Sequence, residues 1–196
     1  MDTRSNLLAT ALTAFVERGY DATTLQTIRE QAGISNGSLF HFFRSKEALG
    51  AALYLEGILK YQQGLIEVLE KPCEEAALGI KAMVRYHFLW VESNVELSRY
   101  LFERGRPDWG PDHIEAIRLA NARTYRAIEN WLTDPVRAGQ LRQQPLAVAV
   151  ALLQGATLAL SRAWLEAPTP GKLVRHTNPL AESLWAAFQL VQETEK

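Results

Sequence analysis

Along NLLATALTAFVERGY (residues 6–20) the apolar side chains fall at Leu7, Leu8, Ala11, Leu12, Phe15 and Val16. Steps of three and four put them on one side of a helix, and Gly19 supplies its stop. TTLQTIREQAG (residues 23–33) predicts a second, shorter helix with Leu25, Ile28 and Ala32 as its stripe. Thr23 and Gln26 stand at capping-box spacing, and Gly33 ends it. Residues 35–43 predict a third helix whose inner side carries Leu39, Phe42 and Phe43, with Ile34 packing beside them. A longer helix starts at Ser45 and runs to about Leu69. Beyond it, breaks at Pro72, near Asn94, at GRPDWGP, near Pro145 and at APTPGK separate helices over about 74–92, 95–104, 112–133, 146–165 and 179–193, with a short turn at 135–139. No stretch sustains the period-two alternation of a half-buried strand. The expected fold is all-α.

The outer side of the third predicted helix is unusual. It holds Gly37 and His41, flanked by Ser38 and Phe40, with Asn36 near the N-terminus. Two short helices joined by a glycine-containing turn form a helix-turn-helix layout, in which the second helix enters the DNA major groove. That use suits the composition. Gly37 and Ser38 let a backbone approach closely, Ser35, Ser38 and the helix N-terminus can donate to phosphate, and Asn36 and His41 can meet base edges or phosphates. Phe40 can pack on a thymine methyl or a sugar. From Gln31 to Lys46 there is no acidic residue, whereas Arg44 and Lys46 are basic, so nothing there repels a phosphate. On spacing alone a turn between two core helices fits equally well, which leaves a helical interaction or ligand-binding module without DNA binding as the alternative.

At the level of residues, TTLQTIREQAGISNGSLFHFFRSKEAL resembles the DNA-binding domain of the tetracycline-repressor (TetR) family of transcriptional regulators. The resemblance covers about residues 4–50: the GY that ends the first helix, the TT that opens the second, and G-[VI]-S-x-G-[ST]-[LI]-[YF]-x-[HYF]-F-x-[SN]-K. It implies that Thr24 and Lys46 hold phosphates on either side of the reading helix. It also implies that Gln26, Ser35, Asn36, Gly37 and His41 lie at or near bases. Two positions depart from the family pattern. Phe40 stands where tyrosine is usual, losing a phosphate-directed hydroxyl, and Asn36 stands where lysine is frequent. Both departures predict a shallower salt dependence than in relatives with a basic reading helix. The expected partners are double-stranded DNA carrying an inverted-repeat operator, a second copy of the chain, and an unidentified small-molecule effector. A repressor released by a small apolar or aromatic effector is the expected activity.

All five tryptophans lie from Trp90 onward, and the small polar helix-turn chemistry lies before Ala48. The expected division is a DNA-binding domain over 1–48 and an effector-binding and dimerisation domain over 49–196. Residues 145–165 carry one charge, Arg162, and are otherwise apolar all round, which requires a core position or a partner subunit. The last helix offers Leu180, Ala181, Leu184, Trp185, Phe188 and Val191, and small residues at Ala151, Gly155 and Ala159 would admit another helix closely. These two helices are expected to pair with their copies as a four-helix bundle, with Leu152, Gly155, Ala159, Leu184, Trp185 and Phe188 at the interface. By the same resemblance the helices over 74–133 surround a cavity. Tyr86, Trp90, Phe102, Trp109 and Tyr125 would line it, with His87, Glu103, Arg85 or Arg123 as polar contacts.

Composition changes this picture little. A formal net charge of -1 gives no whole-chain attraction to polyanions, so DNA must be met by a local patch. The single cysteine, Cys73, excludes an intramolecular disulfide and favours an intracellular setting. The N-terminus lacks a secretion-signal layout. The most apolar stretch, 146–160, falls short of the ~20 residues of a membrane span. The expected location is therefore the cytoplasm, with no membrane contact. His41, His87, His113 and His176 are scattered, and no zinc-protease, P-loop, Cys-x-x-Cys or nucleophile-elbow pattern appears. No catalytic residue, cofactor or metal is expected.

Overall fold

Gly19 (φ +83°) and Gly33 (φ +66°) adopt backbone angles that other residues resist, and they stop the first two helices where the sequence places them. The computed structural model describes residues 2–102, 109–167 and 171–190, with no account of the side chains at 135 and 136. The helices are α1 (Thr3–Arg18), α2 (Leu25–Ala32), α3 (Asn36–Phe42), α4 (Lys46–Leu69), α5 (Ala76–Ser93), α6 (Val95–Phe102), α7 (Pro111–Thr133), α8 (Pro135–Ala138), α9 (Leu146–Glu166) and α10 (Thr177–Phe188), with a 3-10 turn at Leu173–His176. The fold is all-α. Among the described residues, extended pairing is limited to an isolated antiparallel bridge between Leu141 and Gln189.

That bridge explains a shortened last helix. Periodicity carries α10 to 193, yet it ends at Phe188, because Arg142 N–H donates to Phe188 O at 2.9 Å and Leu190 N–H donates to Gln140 O at 3.0 Å. Residues 191–193 of the expected helix, Val191 included, lie outside the described residues, as does 103–104 of the helix expected over 95–104. A second difference lies at the start of α2. The cap is Thr24, whose side chain accepts from Thr27 N–H, whereas Thr23 is buried and donates to Gly19 O at 2.8 Å. The capping-box spacing of Thr23 and Gln26 is therefore coincidental. A third concerns Phe42: it is 38% exposed rather than inward, and Leu39 and Phe43 alone anchor α3.

The chain forms two compact units, Met1–Lys60 with Asn94–Leu119, and Tyr61–Ser93 with Ala120–Lys196. The unit that carries the first three helices thus takes in more chain than residues 1–48. In it, α1 packs on α2, α3 and α6. Leu7, Ala11, Phe15, Ile28, Leu39 and Leu49 are almost wholly buried. Phe15 lies between Tyr20 and Tyr100, with ring centroids 4.9 and 5.6 Å away. Gly50 admits both tyrosines, and Tyr100 donates its hydroxyl proton to Gly50 O at 2.9 Å.

In the other unit α5 is the centre, with α10, α9 and the 3-10 turn packed against it. Gln140 caps its start, accepting from Ala76 N–H at 2.8 Å and donating to Glu74 O at 2.6 Å. Gly79 lies against the buried Trp131 indole. Arg137 stacks over that indole and donates to Trp131 O and Cys73 O, which joins α8 to the end of α7 and to the α4–α5 connection.

Candidate functional site

The helix-turn-helix is held from below. Asn6 donates to Ala32 O at 3.0 Å, fixing the end of α2 on α1, while Thr23 ties the α1–α2 turn to the end of α1. Arg4 pairs with Glu56 and lies over the Phe43 ring. Ser35 caps α3, accepting from Ser38 N–H at 3.1 Å and donating to Ser38 Oγ at 3.1 Å. The Ser35 hydroxyl therefore positions the helix, and the Ser38 hydroxyl proton is left to point outward.

With Leu39 and Phe43 facing in, Asn36, Gly37, Phe40 and His41 form one exposed face. Phe40 is 53% exposed, far more than its packing needs. His41 sets its ring edge-on to Phe42 at 4.9 Å. At the base of the face, Gln26 donates to Glu30 at 3.0 Å and Thr24 is engaged with Thr27. Lys46 donates to Tyr20 O at 2.9 Å and to Asp21 O at 3.3 Å, over the Tyr20 ring. Lys46 thereby welds the start of α4 to the α1–α2 turn, with one ammonium proton still to give. Burial, followed by the charges of Glu47 and Asp21, pushes the Tyr20 hydroxyl up to about 12, so it stays protonated beside Lys46.

The residues expected around a cavity are divided between the two compact units. Tyr86, His87, Trp90 and Tyr125 belong to the Tyr61–Ser93 unit, and Phe102 and Trp109 to the other. Tyr125 is 43% exposed, because its place on α7 turns away from the buried Thr124 and Ile128, and Arg85 is exposed as well. Trp109 is buried against Tyr54 at 4.7 Å, and Phe102 is half-buried. Glu103 lies outside the described residues.

The aromatics that do gather surround Tyr61, which periodicity gave no reason to single out. Its ring lies 5.7 Å from Tyr86, 5.6 Å from His87 and 5.1 Å from Trp90. Tyr86 donates to Tyr61 O at 2.7 Å, and its ring fits against Gly64. His87 Nδ1 lies 2.9 Å from the Tyr61 hydroxyl, and Nε2 lies 2.9 Å from Ser161 Oγ. The imidazole thus joins α4, α5 and α9 while buried, and burial holds its pKa down to about 4. A neutral imidazole has one donor and one acceptor nitrogen, which suits two hydroxyl neighbours. The Tyr61 hydroxyl is likewise raised by burial. The cavity beside them, bordered also by Leu65 and Met83, measures about 20 Å³, room for a single water. Among the described residues no cluster of three or more His, Cys, Asp or Glu side chains is placed to hold a metal.

On α9, Ala149, Leu153, Thr157, Ser161 and Leu165 are buried within the unit. The opposite stripe, Ala151, Gly155, Ala159 and Ala163, is exposed, and Gly155 has open space around it. Leu152 and Trp185 are half-buried at the sides. Leu184 and Phe188, expected at a subunit interface, are instead core residues, because α10 turns them onto its own α5. With 21 residues, and a mean hydropathy of 1.6 over its most apolar 18, α9 is by length and composition long and apolar enough to cross a membrane, contrary to the length read from the sequence. Its packing on α5 and α10 places it as a helix of this folded unit.

Comparisons with known proteins agree with this geometry. Residues 7–53 match the family described as bacterial regulatory proteins, tetR family. The chain is similar to the HTH-type transcriptional repressor NemR of Escherichia coli K12, 39% identical over 69 residues, 35% of either chain. That match spans about a third of NemR's length. It is 31% identical over 140 residues to the HTH-type transcriptional repressor Rv1474c of Mycobacterium tuberculosis H37Rv, covering 68% of this chain and 69% of that one. A bacterial regulatory protein of the tetR family from Rhodococcus RHA1 shares the fold, with a TM-score of 0.81 at 19% identity over 98% of this chain and 100% of that one.

Proposed function

Because the chain belongs to the TetR family of bacterial transcriptional regulators, we propose that it acts as a repressor that reads an inverted-repeat operator as a homodimer. The observation that carries this is the face of Asn36, Gly37, Phe40 and His41, exposed on a helix capped and anchored from the other side. Asn36 and His41 offer hydrogen bonds to base edges, and Phe40 an apolar contact for a thymine methyl. Ser38, Thr24 and Lys46 serve the phosphates at the margins. Thr24 and Gln26 exchange their internal partners for DNA on binding.

A reading helix of seven residues spans too few bases for useful affinity, so two half-sites about one helical turn (~34–36 Å) apart are needed. The exposed small-residue stripe of α9 supports a two-fold pairing that supplies the second head, with Trp185 at its edge. An effector bound in the Tyr61–Ser93 and Ala120–Lys196 unit releases the operator by favouring a dimer geometry that no longer fits both half-sites. α4, a single helix from Lys46 to Leu69, is the lever. Such a regulator works in the cytoplasm, where its DNA is.

The test is capture of genomic fragments by the purified protein, compared with an Asn36→Ala/His41→Ala variant. Both positions are exposed, so the variant keeps its helix content and melting temperature. It should lose selective retention of fragments. Equal retention by the variant would remove α3 from the reading role.

A further inference from the structure

The second unit has a groove of about 420 Å³ between the ends of α4 and α7, within the size range of small-molecule sites. Its base is apolar and well packed: Ile66, Leu69 and the Trp131 indole are each at most 5% exposed. Its rim is cationic. Arg123 and Arg126 stand one turn apart on α7, and Lys71 follows the end of α4. Arg137 also borders the groove, but Asp134 neutralises it at 3.1 Å and two carbonyls hold its guanidinium. Among the described residues Arg123 donates to the neutral Gln63 at 3.2 Å and has no ion pair. The side chains of Lys71 and Arg126 have no ion pair among the described residues. Glu70 on the same rim offsets one of these charges and leaves a surplus of positive charge over an apolar base.

We propose that this groove binds a small amphipathic anion, with its carboxylate, phosphate or sulfonate held by Arg123, Arg126 and Lys71 and its apolar body lying on Ile66, Leu69 and Trp131. Guanidinium groups favour such planar or tetrahedral oxyanions through paired hydrogen bonds. A duplex backbone would use the charges but has nothing to place on the apolar base. The core cavity beside His87 holds about 20 Å³, too little for such a molecule. The regulatory meaning of the site rests on the effector reading above. Its existence does not.

Calorimetric titration of the full chain with 1-naphthaleneacetate and with decanoate tests the proposal, with 1-naphthaleneacetamide as the neutral match for the first. At least one acid should bind saturably, one per chain, and the amide about tenfold more weakly than its acid. Arg123→Gln/Arg126→Gln, both exposed positions, should weaken the acid about tenfold or more while leaving thermal unfolding unchanged. Ala127→Trp, which fills the groove, should abolish binding. Failure of both acids to bind, equal binding of acid and amide, or undiminished binding by the double variant would overturn the site. DNA selection without any probe reports separately on the regulator reading, so either idea can fail alone.

Discussion

His87 shows at the residue scale how burial becomes a pH dependence. Between Tyr61 and Ser161 the imidazole can be hydrogen-bonded at both nitrogens while neutral, and burial lowers its pKa to about 4 from an ordinary value of about 6.5. A folded-state value below the unfolded one means the contribution is complete above about pH 6.5. It falls away as pH drops toward 4, because the unfolded chain takes up a proton that the folded chain refuses. Urea unfolding at about pH 7.5 and pH 5 should therefore show roughly 2 kcal/mol less stability at the lower pH from this group. His87→Gln should remove that share of the difference. An unchanged pH difference in the variant would show that His87 is not the group responsible. On the reading face, Asn36→Lys adds one charge toward phosphate in each half-site. It should raise DNA affinity and steepen the slope of log K against log salt by about 0.9 per half-site. An unaltered slope would place residue 36 away from the backbone. The exposed positions of this face were legible in the sequence because small, polar and acid-free residues have no reason to share a helix side in a core. Tyr61 and Ser161 were not, since residues 100 positions apart signal nothing of their meeting through His87. Lys71 and Arg126 escaped notice for the same reason.

Elements were legible wherever local chemistry ends them. Gly19 and Gly33 have positive φ, and Ser35 and Ser45 accept N–H groups of the turns they open. The end of α10 was not, because a bridge to Leu141 stops it and that partner is distant in sequence. Face assignment failed for the same class of reason: the apolar side of α10 reads alike whether it meets α5 or a second subunit. Close approach of elements was equally hidden. A Cβ at Gly79 would lie 2.4 Å from Trp131 Cζ2, and the buried indole cannot retreat. Gly79→Ala should cost about 1–3 kcal/mol, read as a lowered melting temperature with helix content kept at room temperature. A melting temperature equal to that of the unaltered chain would mean that the α5–α7 contact has slack.

For the whole molecule, the all-α class followed from periodicity alone, while the extent of the compact units did not, because residues 94–119 join the unit of the reading head only through tertiary contacts. The proposed two-fold pairing would put Ala159 against another helix. Ala159→Glu should yield a monomer in sedimentation velocity and, with it, lose high-affinity DNA binding. A dimeric Ala159→Glu protein would move the interface off the α9 stripe. The measurement closest to the central claim is selection of bound sequences from a random duplex pool at moderate salt. Recovery of an inverted repeat with half-sites about one helical turn (~34–36 Å) apart is the predicted result. A folded, dimeric protein that enriches no sequence at all would contradict it.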